Sequence, residues 1–251
     1  MRRISALARV CALAVAVPLS AGVASVANAQ GGAAVNQEAS NKVSGGGITL
    51  AGWMGIVDAA EAGRGLKITD AKLVGMGPGI HVTTGPASTY WNPANKGAGD
   101  YMVKATFNEA EYMGLNDHPH PYGIVIAGKN MDSPKPEFLY CAAYGNGNFI
   151  VRGFSSTAQP RGTFSMTTGR AGDPNAAVNK AEAKGKPVKQ EIAMWVKGDK
   201  IGCTINGTEV ASYNKSDVIG DGKLTSTDGV WGIRFAHNTD AHVSGLAMSK
   251  P

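Results

Sequence analysis

The sequence predicts an all-β chain folded as a two-sheet antiparallel β-sandwich. Three observations predict it. Residues 190–248 read as strand, tight turn, strand, tight turn, strand, loop, strand, turn, strand. The first two turns are Gly198-Asp199 and Asn206-Gly207, and such pairs between β-rich runs are the strongest short-range hairpin signals. Upstream, short strand-like runs recur between Gly, Pro, Asn and Asp without a sustained helical period, which is the pattern of a sandwich.

Residues 1–29 read as a secretory signal. Arg2 and Arg3 supply a positive start, residues 10–17 are uninterruptedly apolar, and Ala27-Asn28-Ala29 fits a small-x-small cleavage site. The apolar run is too short to span a bilayer. Cys11 lies inside that run rather than at its end, so a lipid anchor is not expected. The expectation is an exported protein, periplasmic or extracellular, with no membrane span. Residues 30–47 are rich in Gly, Ala, Asn and Ser and have no period, which predicts a flexible leader.

Residues 48–251 are expected to form a single β-sandwich domain. A chain of this size buries roughly 70% of its unfolded surface. Residues 48–63 hold one strand or a short helix around 53–61. Strands follow at 71–74, 80–84, 101–108, 123–127, 138–144 and 148–154, with a weaker one at 163–166. The meander then runs through 191–197, 201–206, 208–213 and 229–237 to a last strand ending at 248.

Successive strand side chains point to opposite faces. One face carries Ile192, Met194 and Val196, another Trp231, Ile233 and Phe235, and a third Phe149 and Val151. Those are the expected core faces. Trp195, Arg234 and Arg152 fall on the opposite faces.

The formal charge of +5 includes Arg2, Arg3 and Arg9 of the signal; without them it is about +2. Nucleic-acid binding needs a clustered basic face. Lys180, Lys184, Lys186 and Lys189 sit in an Ala/Gly/Pro-rich run that reads as a solvated loop, so no nucleic-acid partner is expected. Cys141 and Cys203 remain after export, which permits a disulfide. Cys203 shares a face with Ile201 and Ile205. The pair is either a bridge or two buried thiols. A bridge would close a loop of about 60 residues and stabilise by roughly 4 kcal/mol.

Several segments carry a family resemblance. They are His118-Pro119-His120-Pro121-Tyr122-Gly123-Ile124, Gly128-Lys129-Asn130, and residues 144–152 from Tyr144 through Gly145-Asn146-Gly147 to Arg152. Residues 205–210 around Asn206-Gly207 and residues 228–234 from Asp228 to Arg234 continue it, with His237-Asn238 and His242-Val243. Over about residues 100–249 the chain resembles exported laminin-G-like or concanavalin-like proteins, a group overlapping the 3-keto-disaccharide hydrolase domain. The resemblance implies a concanavalin-like jelly roll and saccharide-related chemistry. It carries over no catalytic residues.

Trp195 lies between Glu191 and Lys197 on a polar strand face, where a flat indole can stack on a sugar ring. Arg152 and Arg234 are candidates to flank it, because guanidinium forks bind hydroxyls and carboxylates with fixed geometry; the alternative is cross-strand pairing with an acid. His118 and His120 flank Pro119 beside Asp117, and Asp240 and His242 repeat the spacing near His237. His118, His120, Asp240 and His242 are the candidate ligands for zinc or another divalent ion. His118, His120 and His237 are the candidate acid-base groups. Asp217, Asp221, Gly222 and Asp228 match four positions of a calcium-loop template, but Ile219 occupies a ligand position, leaving only a looser calcium site. Glu109 and Glu111 form the best carboxylate pair, without the flanking pattern of a glucanase, and read as a solvated strand end.

The expected function is carbohydrate binding without turnover, with a saccharide or glycan as ligand. The alternatives are a 3-keto-glycoside hydrolase or lyase acting on a modified disaccharide, and an envelope module that mediates protein contacts.

Overall fold

The computed structural model describes residues 38–158 and 162–251. The expected signal, 1–29, and the first part of the expected leader lie outside the described residues. The strands are β1 (Gly47–Ile48), β2 (Met54–Val57), β3 (Lys72–Met76), β4 (Gly79–Thr83), β5 (Ser88–Gly97), β6 (Tyr101–Glu109), β7 (Tyr122–Lys129) and β8 (Glu137–Ala143). Then come β9 (Asn148–Phe154), β10 (Thr163–Ser165), β11 (Asp173–Pro174), β12 (Val188–Lys197), β13 (Lys200–Ile205), β14 (Thr208–Asn214), β15 (Gly229–Phe235) and β16 (Asp240–Ser249). Two one-turn α-helices, α1 (Ala59–Ala62) and α2 (Lys215–Val218), and a 3-10 turn at Ile68–Asp70 complete the list. Among the described residues no helix is long and apolar enough to cross a membrane.

The strands form two sheets. The first runs β1-β3-β4-β16-β6-β12-β13-β14, and the second runs β10-β9-β8-β7-β15-β5-β2 with β11 beside β9. Nearly all pairs are antiparallel; β1 and β3 are parallel. The hairpins sit where turn chemistry puts them. Lys197 pairs with Lys200 across Gly198-Asp199. Asn206 and Gly207 both take positive φ, 50° and 81°, as a mirror-image two-residue turn requires. The Asn206 amide also closes the turn, accepting from the Glu191 N–H at 2.8 Å and donating to the Ala177 carbonyl at 2.8 Å.

The two sheets face each other across one core. Ile192, Met194 and Val196 from the first sheet meet Ile124, Leu139, Val151, Ile233 and Phe235 from the second. The Sγ atoms of Cys141 on β8 and Cys203 on β13 are bonded, with their Cα atoms 6.2 Å apart. The bridge therefore ties one sheet to the other through the core.

Two features depart from the expected picture. The outward face of the second sheet is not a solvent face. Trp91, Val125, Phe138, Tyr140, Ala142 and Ile150 form a second apolar cluster there, with Ile56 and Phe154 packed against it. Residues 38–47, expected to belong to a flexible leader, are hydrogen-bonded to the domain. The Asn238 side chain accepts from the Asn41 N–H at 2.8 Å and donates to the Ala39 carbonyl at 3.0 Å. Val43 N–H reaches the Asp70 carbonyl at 3.0 Å. This segment runs so close over Gly85 that a Cβ there would lie 1.9 Å from the Asn41 carbonyl oxygen.

Candidate functional site

The outward face of the second sheet holds a cavity of about 650 Å3. Strand β8 builds one wall with Phe138 and β9 adds Phe154. Their registered positions, Phe138 opposite Phe154, stack the two rings at 4.5 Å with 22° between planes. Strands β2 and β5 supply Ile56 and Thr89, and Asp58 follows β2 at the head of α1. Pro134, Lys135 and Pro136 close the rim from the loop between β7 and β8.

Beneath this cavity lies Arg234. Its guanidinium sits 4.8 Å from the Phe154 centroid and 5.0 Å from that of Tyr140. Its two terminal nitrogens donate to the two Asp58 oxygens, and Nη1 also donates to Thr89 Oγ1 at 2.9 Å. Arg234 is 8% exposed. Burial works to lower its pKa, but Asp58 and Tyr140 together more than offset this, and the guanidinium stays charged. Bidentate Arg–carboxylate pairing fixes both orientation and distance. So Arg234, expected as a ligand-binding residue, instead positions Asp58 and Thr89, which line the cavity.

The other two residues of that expectation lie elsewhere. Arg152 is on β9, and its Nη2 donates to the carbonyls of Gly169, at 3.3 Å, and Arg170. It latches the loop before β11. Trp195 is on the outward face of the first sheet, the opposite side of the sandwich. Its half-buried indole lies over Gly202, where a Cβ would come within 2.3 Å of the ring. The three residues therefore do not share one cleft. Neighbours of Trp195 on its face include the pair Lys104–Glu191, 3.6 Å apart.

A second constellation sits where the β6–β7 and β15–β16 loops meet. His118 and His120 from the first loop and His237 from the second bring ring nitrogens within 4.8 Å of one another. The His118 and His120 Nε2 atoms are 2.8 Å apart. Asp117 Oδ1 is 3.0 Å from His118 Nδ1. Glu61, on α1, is 3.8 Å from His237 Nδ1 and accepts from the Ser40 hydroxyl at 2.9 Å. Burial, reinforced by the neighbouring imidazoles, pushes His120 down to about 3. Burial also lowers His237. Both rings are neutral at pH 7.

Asp240 and His242, proposed as ligands with His118 and His120, are not in this group. Asp240 pairs with His81 Nε2 at 3.0 Å, and His81 stacks on His242 at 4.4 Å. They occupy the outward face of the first sheet, above a shallow groove lined by Thr106, Asn108 and Lys189. The calcium-template acids are also spread out. Asp217 caps α2 by accepting from the Asn214 N–H at 2.9 Å, and Asp228 accepts from the Gly99 N–H at 3.0 Å. Glu109 and Glu111 do not act as a solvated pair. Glu109 is 3% exposed and Glu111 is exposed.

Sequence reasoning missed Asp58, Thr89, Phe138 and Phe154 as one group, and Glu61 and His81. Asp58 and Arg234 are 176 residues apart, so no local spacing could connect them. One signal was present. Phe138-Leu139-Tyr140-Cys141-Ala142-Ala143 is a continuous apolar run, which marks a strand buried on both faces.

No protein-family model matches the chain, and no curated protein sequence matches it. Solved structures do resemble it. The carbohydrate binding module CBM66 from Bacillus subtilis aligns with TM-score 0.50 at 9% identity, covering 82% of this chain and 99% of that one. A Bacillus subtilis protein of unknown function with a galectin-like fold aligns with TM-score 0.49 at 11% identity, covering 79% and 89%. At these identities the likeness concerns the fold, a two-sheet β-sandwich.

Proposed function

We propose that the protein is an exported, non-catalytic carbohydrate-binding β-sandwich whose ligand is a short saccharide seated in the cavity over the second sheet. One observation carries this reading: a single cavity joins an aromatic wall to a pre-set polar clamp. The volume, about 650 Å3, falls within the range of small-molecule sites. Phe154 offers apolar ring surface to the carbon face of a sugar at little entropic cost. Asp58, held by Arg234, keeps lone pairs for accepting from sugar hydroxyls. Thr89 Oγ1 accepts from Arg234, so its own O–H is free to donate. A hydroxyl-rich ligand both donates and accepts, which suits this pair. The resemblance to a structure named as a carbohydrate binding module supports the same reading. Export is supported by the signal-like start and by a core disulfide, which suits an oxidising compartment.

Glycan-array binding with the full chain tests it. The wild type gives saccharide signals, Phe154→Ala weakens them about tenfold or more, and Trp195→Ala leaves them unchanged. No saccharide signal above background, or full binding by Phe154→Ala, overturns the reading.

The enzymatic alternative, a 3-keto-glycoside hydrolase or lyase, has one observation in its favour, the convergence of His118, His120 and His237. Turnover of a 3-keto-disaccharide that disappears in His118→Ala establishes it. No turnover with zinc supplied ends it.

A further inference from the structure

We propose that His118, His120 and His237 form a binding site for one divalent transition-metal ion of the zinc class, with Asp117 and Glu61 as the carboxylates that orient the outer imidazoles. The proposal is independent of the saccharide reading, since none of these residues lines the cavity over the second sheet.

The proton positions lead to it. Asp117 Oδ1 lies 3.0 Å from His118 Nδ1, and a carboxylate only accepts, which places a proton on Nδ1 and leaves Nε2 as the ligand atom. His118 Nε2 faces His120 Nε2, 2.8 Å away. On the far side, Glu61 lies 3.8 Å from His237 Nδ1, which favours the proton on that nitrogen and a lone pair on Nε2. His237 Nε2 is buried without any hydrogen-bond partner. Buried polar atoms are nearly always satisfied, so this orphan calls for an explanation. A cation held by the three Nε2 atoms supplies it. At a zinc–nitrogen distance of about 2.0–2.1 Å, tetrahedral ligands lie ~3.3 Å apart. The His118–His120 separation needs to open by only about half an ångström from its present value to meet that.

The surroundings match a metal site beyond its ligands. Metal-bound histidines usually donate their other N–H to a carboxylate, which fixes the tautomer and raises ligand basicity. Here Asp117 and Glu61 stand at those outward nitrogens, and Glu61 is itself held by Ser40 at 2.9 Å. Imidazole donors select zinc and its neighbours in the transition series. Calcium prefers oxygen ligands and does not suit this set. Three protein ligands leave a fourth position for water or another donor, and His118, half-exposed, opens the site toward solvent.

The test uses the full chain stripped with chelator, then titrated with zinc chloride and read by calorimetry and bound-metal analysis. The wild type binds one zinc per chain, and His242→Ala, on the other surface, binds identically. His118→Ala and His237→Ala lose binding. Asp117→Asn, an exposed substitution that leaves metal-free stability unchanged, weakens it about 10–100-fold. Failure of the wild type to take up zinc overturns the proposal. So does zinc binding that survives His118→Ala and Asp117→Asn unchanged, or that is lost in His242→Ala.

Discussion

Replacing Glu109 with Gln converts a buried acid into a neutral group, and the effect depends on pH in a calculable way. Glu109 ends β6 with its Oε1 accepting from the Met113 N–H at 3.1 Å, while Oε2 is buried without a partner. Burial pushes its carboxyl up to about 7; the Met113 N–H opposes the rise, and the charge of Asp240 adds to it. In the unfolded chain the group titrates at its ordinary 4.5. Between those values the folded protein holds a proton that the unfolded chain has released. Wild-type stability is therefore complete below about pH 4.5, falls as pH rises toward about 7, and levels off above it. The separation corresponds to about 3 kcal/mol. Glu109→Gln lacks this dependence and keeps the Oε1 acceptor. Relative to wild type, the variant gains about 3 kcal/mol between about pH 4 and about pH 8. Denaturant unfolding across that range, read as midpoint and slope, checks it. Parallel pH profiles for the two proteins refute the burial argument.

Three further outcomes follow from the same geometry. Replacing both Cys141 and Cys203 with Ala frees a sequence separation of 62 residues and lowers unfolding free energy by about 4 kcal/mol in the chain-entropy model, measured by denaturant midpoint. Asp58→Ala strands the buried Arg234 charge and costs about 3–5 kcal/mol, whereas Arg234→Met with Asp58→Ala costs less; equal losses in a double-mutant cycle contradict the pairing. Gly85→Ala drives a Cβ into the Asn41 carbonyl and costs about 1–3 kcal/mol, with early protease cleavage near residue 41 as its readout.

The sandwich was legible because period-two alternation and two-residue turns are local signals. Strands β9, β12, β13 and β14 fall where those signals place them, and Ile192, Met194 and Val196 are buried as the alternation requires. Strand β5 was hidden. Its Asn92-Pro93-Ala94-Asn95 stretch carries turn-type residues, yet it stays extended within β5, and the pairing with β15 skips from Trp91 to Lys96 through a bulge. The polar-looking faces misled for a different reason. Arg234 alternates outward correctly, yet a second apolar layer covers it. Alternation assigns a side chain to a face but not the loops that fold over that face. The histidine cluster was half legible. His118 and His120 are neighbours in sequence, while His237 joins them only because two loops meet at one end of the sandwich.

The most direct measurement is a saccharide titration followed by backbone and methyl NMR of the full chain, using a ligand found by array. A sugar in the cavity over the second sheet concentrates the shifts at Phe138, Phe154, Thr89 and Ile56, with Lys135 at the rim. Shifts confined to Trp195, or to the groove at Asn108 and His242, would place the sugar on the other sheet and contradict it.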